Sequence, residues 1–483
     1  MGASPAATGQ MALSHLVTNS RIAEHGITFE FSGGDAQICD VTHDSKQVTP
    51  GALFCCVRGA TFDGHEFARA AVEAGASAIV VDHALALDIP QLIVSNVRGA
   101  MGYLAAALRD FPSKRLHVVG ITGTNGKTTT AHLLAEILRA HGWNTEVFGT
   151  LTGGRTTSEA SDLQRNLASC ESRGVQAVVM EVTSHALELQ RVNGTTFEVA
   201  VFTNLTQDHL DFHGTFEKYF AAKAKLFTNQ YSLQAVVNRD DVHGKLLLDT
   251  ITIDAVSFGH SDISNVSVDA RHHGYEIAGT KISVNLGGHF NVMNSLAAVN
   301  AAQALGVPFD EISRGLANAS AVAGRFESIS AGQDFDVIVD YAHTPDALTR
   351  VLNSARSMVQ GNSQLIVVFG CGGDRDTDKR AKMGEIAAML ADAVVITSDN
   401  PRSESAADIA MQINAGVRDS DSHKVLGTEL DRRAAIGKAI SIANTGDVVV
   451  IAGKGHESTQ TIGTEVFPFS DAQVARELLG VHS

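Results

Sequence analysis

Proline and aromatic residues are scarce in this sequence, with 8 prolines in 483 residues and 6% Phe, Trp and Tyr. That scarcity argues against a proline-rich disordered tract and against a sticky interaction module. Basic charge is short as well: 37 Lys and Arg stand against 53 Asp and Glu, the formal net charge is −16, and no Lys/Arg block occurs. A general nucleic-acid binder is thereby disfavoured, and anionic substrates would need local basic pockets. No apolar run approaches the roughly 20 residues of a membrane span, so no membrane insertion is expected. The opening MGASPAATGQ has neither the charged start nor the apolar core of a signal peptide. MGASPA also lacks the Ser or Thr expected at the sixth position of a myristoylation site. The cysteines Cys39, Cys55, Cys56, Cys170 and Cys371 are odd in number and show no metal-ligand spacing. Reduced, mostly buried thiols in a cytoplasmic protein are the expectation.

What is present is apolar sequence in short, regular doses. With 44% hydrophobic residues the chain can bury several cores, and its length implies two to four domains. Strand-like runs (ALFCCVRG, SAIVVD, LHVVGI, QAVVMEV, FEVAVFTNL, LQAVVNRDD) alternate with helical patterns such as HEFARAAVEAG and MGYLAAALRDF. FPSKR, at 111–115, supplies turn chemistry and a domain boundary. A polar stretch from about 261 to 288 predicts an antiparallel insertion. FDVIVDYA restarts the strand–helix rhythm, with a second boundary near Ser330. The result is three α/β units of mainly parallel sheet, whose ligands collect at the carboxyl ends of strands.

GITGTNGKTTT, at 120–130, lies between a strand and a helix that ends in glycine. Its glycines let the backbone aim N–H groups at phosphate oxygens. Lys127 adds a point charge, and Thr128 can reach a magnesium ion. The strict P-loop pattern fails because position 121 is isoleucine, so the match is to a variant loop, GxxGTNGKT. Phosphate binding is predicted, but the loop names no activity.

Other clusters sit at strand ends. Glu181 closes the strand in MEVTSHALELQR, and TNLTQDHLDFHG sets Asn204, Asp208, His209, Asp211 and His213 past another. Glu181 and His209 can converge on one magnesium-nucleotide, although a His beside an Asp is commonly a structural pair. Lys223, in YFAAKAKLF, reads on its residues alone as a solvated or snorkelling lysine. Asn294 can simply cap a helix. In the last third, CGGDRDTDKRAK carries Arg375, Lys379, Arg380 and Lys382, SDNPR carries Asp399, Asn400, Pro401 and Arg402, and GKGHE carries Lys454, His456 and Glu457. Three charged loops at neighbouring strand ends suit a polar zwitterion, with an arginine forking onto a carboxylate.

Taken together, GTNGKTTT, MEVTSHALELQRV, TNLTQDHLDFHGTFEKYFAAKAKLF, GHFNVMNSLAAVNAA, GRFE, VDYAHTPDAL, FGCGGDRDTDKR, SDNPR and AGKGHE resemble the Mur ligases in content and order. DSKQV at 44–48 and TTSEASDLQ at 156–164 extend the resemblance over nearly the whole chain, and the similarity is greatest to the diaminopimelate-adding members. The resemblance implies three domains: 1–112 for a uridine nucleotide, 113–330 as a central P-loop ATPase, and 331–483 as a C-terminal Rossmann-like domain for the amino acid. It implies that ATP phosphorylates the terminal carboxylate of UDP-N-acetylmuramoyl-L-alanyl-D-glutamate, and that the amine of meso-2,6-diaminopimelate attacks the acyl phosphate. A cytoplasmic monomer is expected, working without nucleic acid or membrane.

The resemblance also implies residue roles. Gly123, Thr124, Asn125, Gly126, Lys127, Thr128 and Thr129 would hold the phosphates, and Thr128 with Glu181 one magnesium. His209 and Lys223 would serve a second metal, with Lys223 carbamylated into a carboxylate-like ligand. Asn294 would meet adenine, Asp340 the ribose and Arg325 the phosphates. Ser45 matches a uridine-nucleotide contact, while Thr156, Thr157, Ser184 and Arg191 match the muramoyl-dipeptide site. Arg375, the loop Asp399, Asn400, Pro401 and Arg402, and Gly453 with Glu457 match the amino-acid site, where Arg402 favours diaminopimelate over lysine. Thr183, Leu189, Ala323 and Ala381 depart from the family's pattern without loss of a charge. A folylpolyglutamate synthase would share the ATP core but not DSKQV and TTSEASDLQ, and a non-catalytic nucleotide binder would not need Lys127, Glu181, His209 and Lys223 together.

Overall fold

The computed structural model describes residues 9–59, 61–420 and 424–480. The reading of the opening residues as no leader falls largely on 1–8, outside that range. Short runs of Val, Ile, Leu and Phe, buried on both faces, form strands in three successive sheets, and the intervening helices cover them. The first sheet has five strands in the order Phe29–Ser32, Gln91–Val94, Ala78–Val81, Ala52–Cys55 and Asp40–Thr42. Only its edge strand Phe29–Ser32 is antiparallel.

The second sheet has six parallel strands, ordered Asp254–Phe258, Ser232–Asn238, Phe197–Phe202, His117–Thr122, Ala177–Glu181 and Thr145–Phe148. His117–Thr122 runs near the middle, with later strands on both sides, so its carboxyl end opens into the crevice where such sheets bind ligands. The predicted antiparallel insertion is there: Ile263–Val268, His273–Ile277 and Thr280–Val284 form a three-stranded meander. Tyr275, Ile277, Ile282 and Val284 join the core beneath helices Lys127–Ala140 and His289–Ala304.

The third sheet also has six strands, ordered Glu327–Ile329, Asp336–Asp340, Val448–Ala452, Leu365–Phe369, Ala393–Ile396 and Val425–Thr428. Glu327–Ile329 is antiparallel to its neighbour, so this sheet begins before the boundary expected near Ser330. A three-residue strand in a polar stretch carries too little periodicity to be seen in the sequence. Among the described residues no helix is long and apolar enough to cross a membrane. Four of the five free cysteines are buried, as expected of mostly buried thiols, and Cys39 is half-buried.

Candidate active site

The loop after His117–Thr122 wraps the start of helix Lys127–Ala140, whose N-cap is Gly126 with φ +87°. A Cβ at Gly126 would lie 2.2 Å from Asn294 Oδ1, so only glycine lets that side chain approach the loop. Thr203 and Asn204 grip the loop from the next strand: Thr203 Oγ1 donates to Asn125 O at 2.7 Å, and Asn125 N donates to Asn204 Oδ1 at 3.0 Å. From the third sheet's side, Asp346 accepts from Asn125 Nδ2 at 2.9 Å.

Both lysines of the predicted site converge on one carbonyl. Lys127 Nζ donates to Gly123 O at 2.8 Å and to Thr124 O at 2.7 Å, and Lys223 Nζ donates to the same Gly123 O at 2.8 Å. Lys223 is 2% exposed, not solvated. Burial, and then the charge of Lys127, hold its amine well below the usual lysine range. Burial also lowers Lys127, against the opposing pull of Glu181 and Asp208.

Glu181 ends its strand 1% exposed. Its Oε2 accepts from Thr128 Oγ1 at 3.0 Å, and its Oε1 accepts from Thr150 N at 2.8 Å. Arg325 Nη2 donates to Thr128 Oγ1 at 3.2 Å, and its guanidinium lies 4.5 Å from the centre of the Tyr341 ring. Asp340 accepts from Phe326 N and Ala342 N, and burial pushes its carboxyl up to about 6. His209 stands 3.3 Å from Asp208 with φ +53°, and burial brings its imidazole down to about 4. Thr124 to Thr129, Glu181, His209, Asn294, Arg325 and Asp340 line one cleft of about 760 Å³. Gly123 and Lys223 are not in the cleft wall; they are joined to it through the Gly123 carbonyl, which Lys127 and Lys223 share.

Thr156 lines the same cleft, while Thr157 Oγ1 donates to Glu181 O at 2.9 Å just behind it. Ser184 Oγ pairs with His213 Nε2 at 2.9 Å. Arg191 Nε lies 2.9 Å from Glu159 Oε1. The Thr183 hydroxyl accepts from Ala186 N at 3.1 Å and caps the helix Ser184–Glu188, so the threonine serves where a serine would. Ser45 stands apart from the cleft, in the short turn of helix Ser45–Gln47.

A second cleft, of about 460 Å³, is lined by Asn400, Arg402, His456 and Glu457, and shares Thr150 with the first. Arg402 Nη1 donates to Gly373 O at 2.6 Å, and among the described residues no carboxylate hydrogen-bonds to it. Asp399, Pro401 and Gly453 are not in the cleft wall but buried beneath it or in its turn. Arg375 is exposed, on a loop where a Cβ added at Gly372 would lie 3.1 Å from Arg402 Nη1 and 3.9 Å from Arg375 Cγ. Burial raises the Asp399 carboxyl, against the charges of Arg432 and Lys454.

Among residues with a part in these clefts, Thr150 had no role assigned from the sequence, and Lys454 was singled out only as one charge of a loop suited to a zwitterion. Thr150 gave no signal, being one threonine in a polar turn. Lys454 stood in a charged loop but is fully buried, with Nζ donating to Asn400 Oδ1 at 3.2 Å, Glu457 Oε2 at 3.1 Å and Thr459 O at 2.7 Å. Its place directly after a buried strand was the available clue.

Family models match the chain in order: "Mur ligase family, catalytic domain" over 37–111, "Mur ligase middle domain" over 121–302, and "Mur ligase, glutamate ligase domain" over 324–455. A Bacillus licheniformis protein named UDP-N-acetylmuramoyl-L-alanyl-D-glutamate–2,6-diaminopimelate ligase is 41% identical over 470 residues, 92% of this chain and 95% of its own. One of the same name from Geobacillus thermodenitrificans is 45% identical over 469 residues, with the same coverage. A solved structure under that name is 33% identical, with a TM-score of 0.66 over 92% of this chain and 95% of that one. The MurF ligase of Thermotoga maritima, solved in complex with ADP, shares the fold at 20% identity, with a TM-score of 0.64 over 91% of this chain and 96% of its own. With models matched from residue 37 to residue 455 and relatives aligned over 92% of its length, this chain belongs to the Mur ligase family.

Proposed function

We propose that the chain is an ATP-dependent amide ligase that adds meso-2,6-diaminopimelate to UDP-N-acetylmuramoyl-L-alanyl-D-glutamate, making a peptidoglycan precursor. The observation that carries the reading is the meeting of two clefts at Thr150, one walled by the P-loop and Glu181, the other by Asn400, Arg402 and Glu457. The relatives named for this activity support the choice of substrates.

In this reading a carboxylate oxygen of the D-glutamyl group attacks the γ-phosphorus of ATP, and ADP leaves. The amine then attacks the acyl carbon of the acyl phosphate, loses a proton, and phosphate departs. Lys127 exchanges its carbonyl partners for β- and γ-phosphate oxygens, the loop N–H groups take the rest, and Arg325 adds its charge from across the gap. Asn294 serves adenine and Asp340 the ribose. Ser45 serves the uridine nucleotide, while Thr156, Thr157, Ser184 and Arg191 hold the muramoyl dipeptide. Asp399, Asn400, Pro401, Arg402, Arg375, Gly453 and Glu457 form the amino-acid site, with Arg402 forking onto the carboxylate that lysine lacks.

Thr128 and Glu181 offer the hard oxygen atoms that magnesium takes, and would hold one ion. His209 and Lys223 would hold a second. Bound magnesium would offset phosphate charge that otherwise repels the attacking carboxylate. Burial and the charge of Lys127 favour the neutral form of the Lys223 amine, the form that can add to carbon dioxide: an N–C bond would form, a proton leave, and a carbamate anion result. The reading assigns 1–112 to the uridine nucleotide, 113–330 to the ATPase, with Glu327–Ile329 lent to the following sheet, and 331–483 to the amino acid. It takes the enzyme as a cytoplasmic monomer with no nucleic-acid or membrane partner.

Phosphate release with UDP-muramoyl-dipeptide and diaminopimelate, lysine or no amine tests this. Release that requires diaminopimelate is expected. Release driven by lysine alone would make the chain a lysine-adding ligase, and release indifferent to amine would remove the amide-forming step.

A further inference from the structure

The two loops that face the amino-acid cleft follow strands Ala393–Ile396 and Val448–Ala452. These strands are not neighbours, because Leu365–Phe369 runs between them. Ladder hydrogen bonds therefore cannot by themselves fix one loop against the other. Lys454 Nζ reaches across from one loop to Asn400 Oδ1 of the other, and a buried side chain from outside both loops ties their bases together. Arg432 opens the helix Arg432–Ile442 and is 1% exposed, and its Nη1 donates to Ser398 O at 3.2 Å and its Nη2 to Ala452 O at 3.0 Å. Those carbonyls immediately precede Asp399 and Gly453.

The guanidinium is held in turn by Asp471, the first residue of helix Asp471–Leu478 and 0% exposed. Arg432 Nε donates to Asp471 Oδ1, and Nη2 to Asp471 Oδ2, both at 2.7 Å. The fork is thus fixed bidentately on one side and reads two loop carbonyls on the other, a geometry lysine cannot supply. Mere stabilisation does not require it, since a buried ion pair commonly gives way to apolar residues of similar volume at little cost.

We propose that Arg432 and Asp471 are positioning residues for the amino-acid substrate: the pair sets the spacing of the SDNPR and GKGHE loops and ties it to the last helix. The proposal rests on the amino-acid site argued above. Neither residue touches substrate; each acts through the loops.

The paired variant Arg432→Met with Asp471→Leu removes both charges and leaves neither stranded. In steady-state ligation its Michaelis constant for diaminopimelate should rise more than fivefold, with those for ATP and UDP-muramoyl-dipeptide within twofold of wild type. A rise below fivefold, or an equal rise for all three substrates, in a variant that melts cooperatively would overturn the role. Arg432→Lys keeps the charge but loses the fork, and should show the same selective rise.

Hydrogen exchange on the wild-type enzyme covers the case in which neither variant folds. Adding diaminopimelate to enzyme holding a non-hydrolysable ATP analogue and UDP-muramoyl-dipeptide should slow exchange at 398–402, at 452–457 and also at 471–478. Slowing at the two loops without the last helix would refute the clamp. Absence of any diaminopimelate-dependent phosphate release by wild type would instead refute the amino-acid site itself, which separates the two failures.

Discussion

The cations of the two clefts differ in what they lean on. Around the P-loop, Lys127 and Lys223 rest on backbone carbonyls, Arg325 on a threonine hydroxyl and an aromatic face, and among the described residues none has a carboxylate within ion-pair distance. Beneath the amino-acid cleft, Lys454 pairs with Glu457, Arg380 with Glu404 and Arg432 with Asp471. Among the described residues Arg402 has no such pair there, with a backbone carbonyl as its partner, and Lys379 likewise rests on the His343 carbonyl. A buried cation without a carboxylate is costly unless something else supplies the negative charge. On the proposed function, the difference would separate cations kept open for a ligand or a modification from cations spent on architecture.

The sharpest way to break that comparison is at Lys223. Lys223→Ala should lower ligation by at least about 10²-fold, the order seen when an electrostatic stabiliser of a transition state is removed. Near-wild-type turnover with no added carboxylate would end the assigned role. Next, Arg402→Ala should raise the Michaelis constant for diaminopimelate about tenfold or more, about 1.4 kcal/mol, with little change for ATP. Equal shifts for both would move Arg402 out of the open class.

Arg432→Ala tests the other class. It strands the Asp471 carboxylate at 0% exposure and should cost about 3–5 kcal/mol in denaturant unfolding. Arg402→Ala should cost far less, and comparable losses would erase the distinction. A test by pH rather than by ligand is at Asp340, whose carboxyl is raised from 3.8 to about 6 when folded. Between those values the folded state holds a proton that the unfolded chain has released, so stability falls as pH rises. The free enzyme's stability relative to Asp340→Asn should decline from pH about 4 to about 6, and a flat difference would show that Asp340 ionises normally.

Much of this was legible in the chain because the relevant residues are contiguous. The P-loop, the strand ending in Glu181 and the SDNPR turn each carry their geometry in a few adjacent positions, as does the alternation that gives three mainly parallel sheets. Lys223 is more instructive. Small and apolar neighbours suggested a solvated lysine, and only the family resemblance gave it a role. Yet the helix Phe216–Ala224 buries Tyr219, Ala222 and Lys223, and the spacing of four from Tyr219 puts the lysine on the inward face. Thr150, Arg432 and Asp471 had no such local signal. Their partners lie 20 to 39 residues away or more, so their roles exist only once the chain is folded.

Gly324 leaves one more consequence. It has φ +62°, and a Cβ there would lie 2.0 Å from His456 N and 2.2 Å from Gly455 C. The connector out of the central sheet thus runs flush against the GKGHE loop, in a seam with no room for a methyl group. Any side chain at 324 must push that loop outward, and Lys454 and Glu457 would travel with it. A lesion in the joint between lobes would then register as poor amino-acid affinity, although every residue of the cleft were intact.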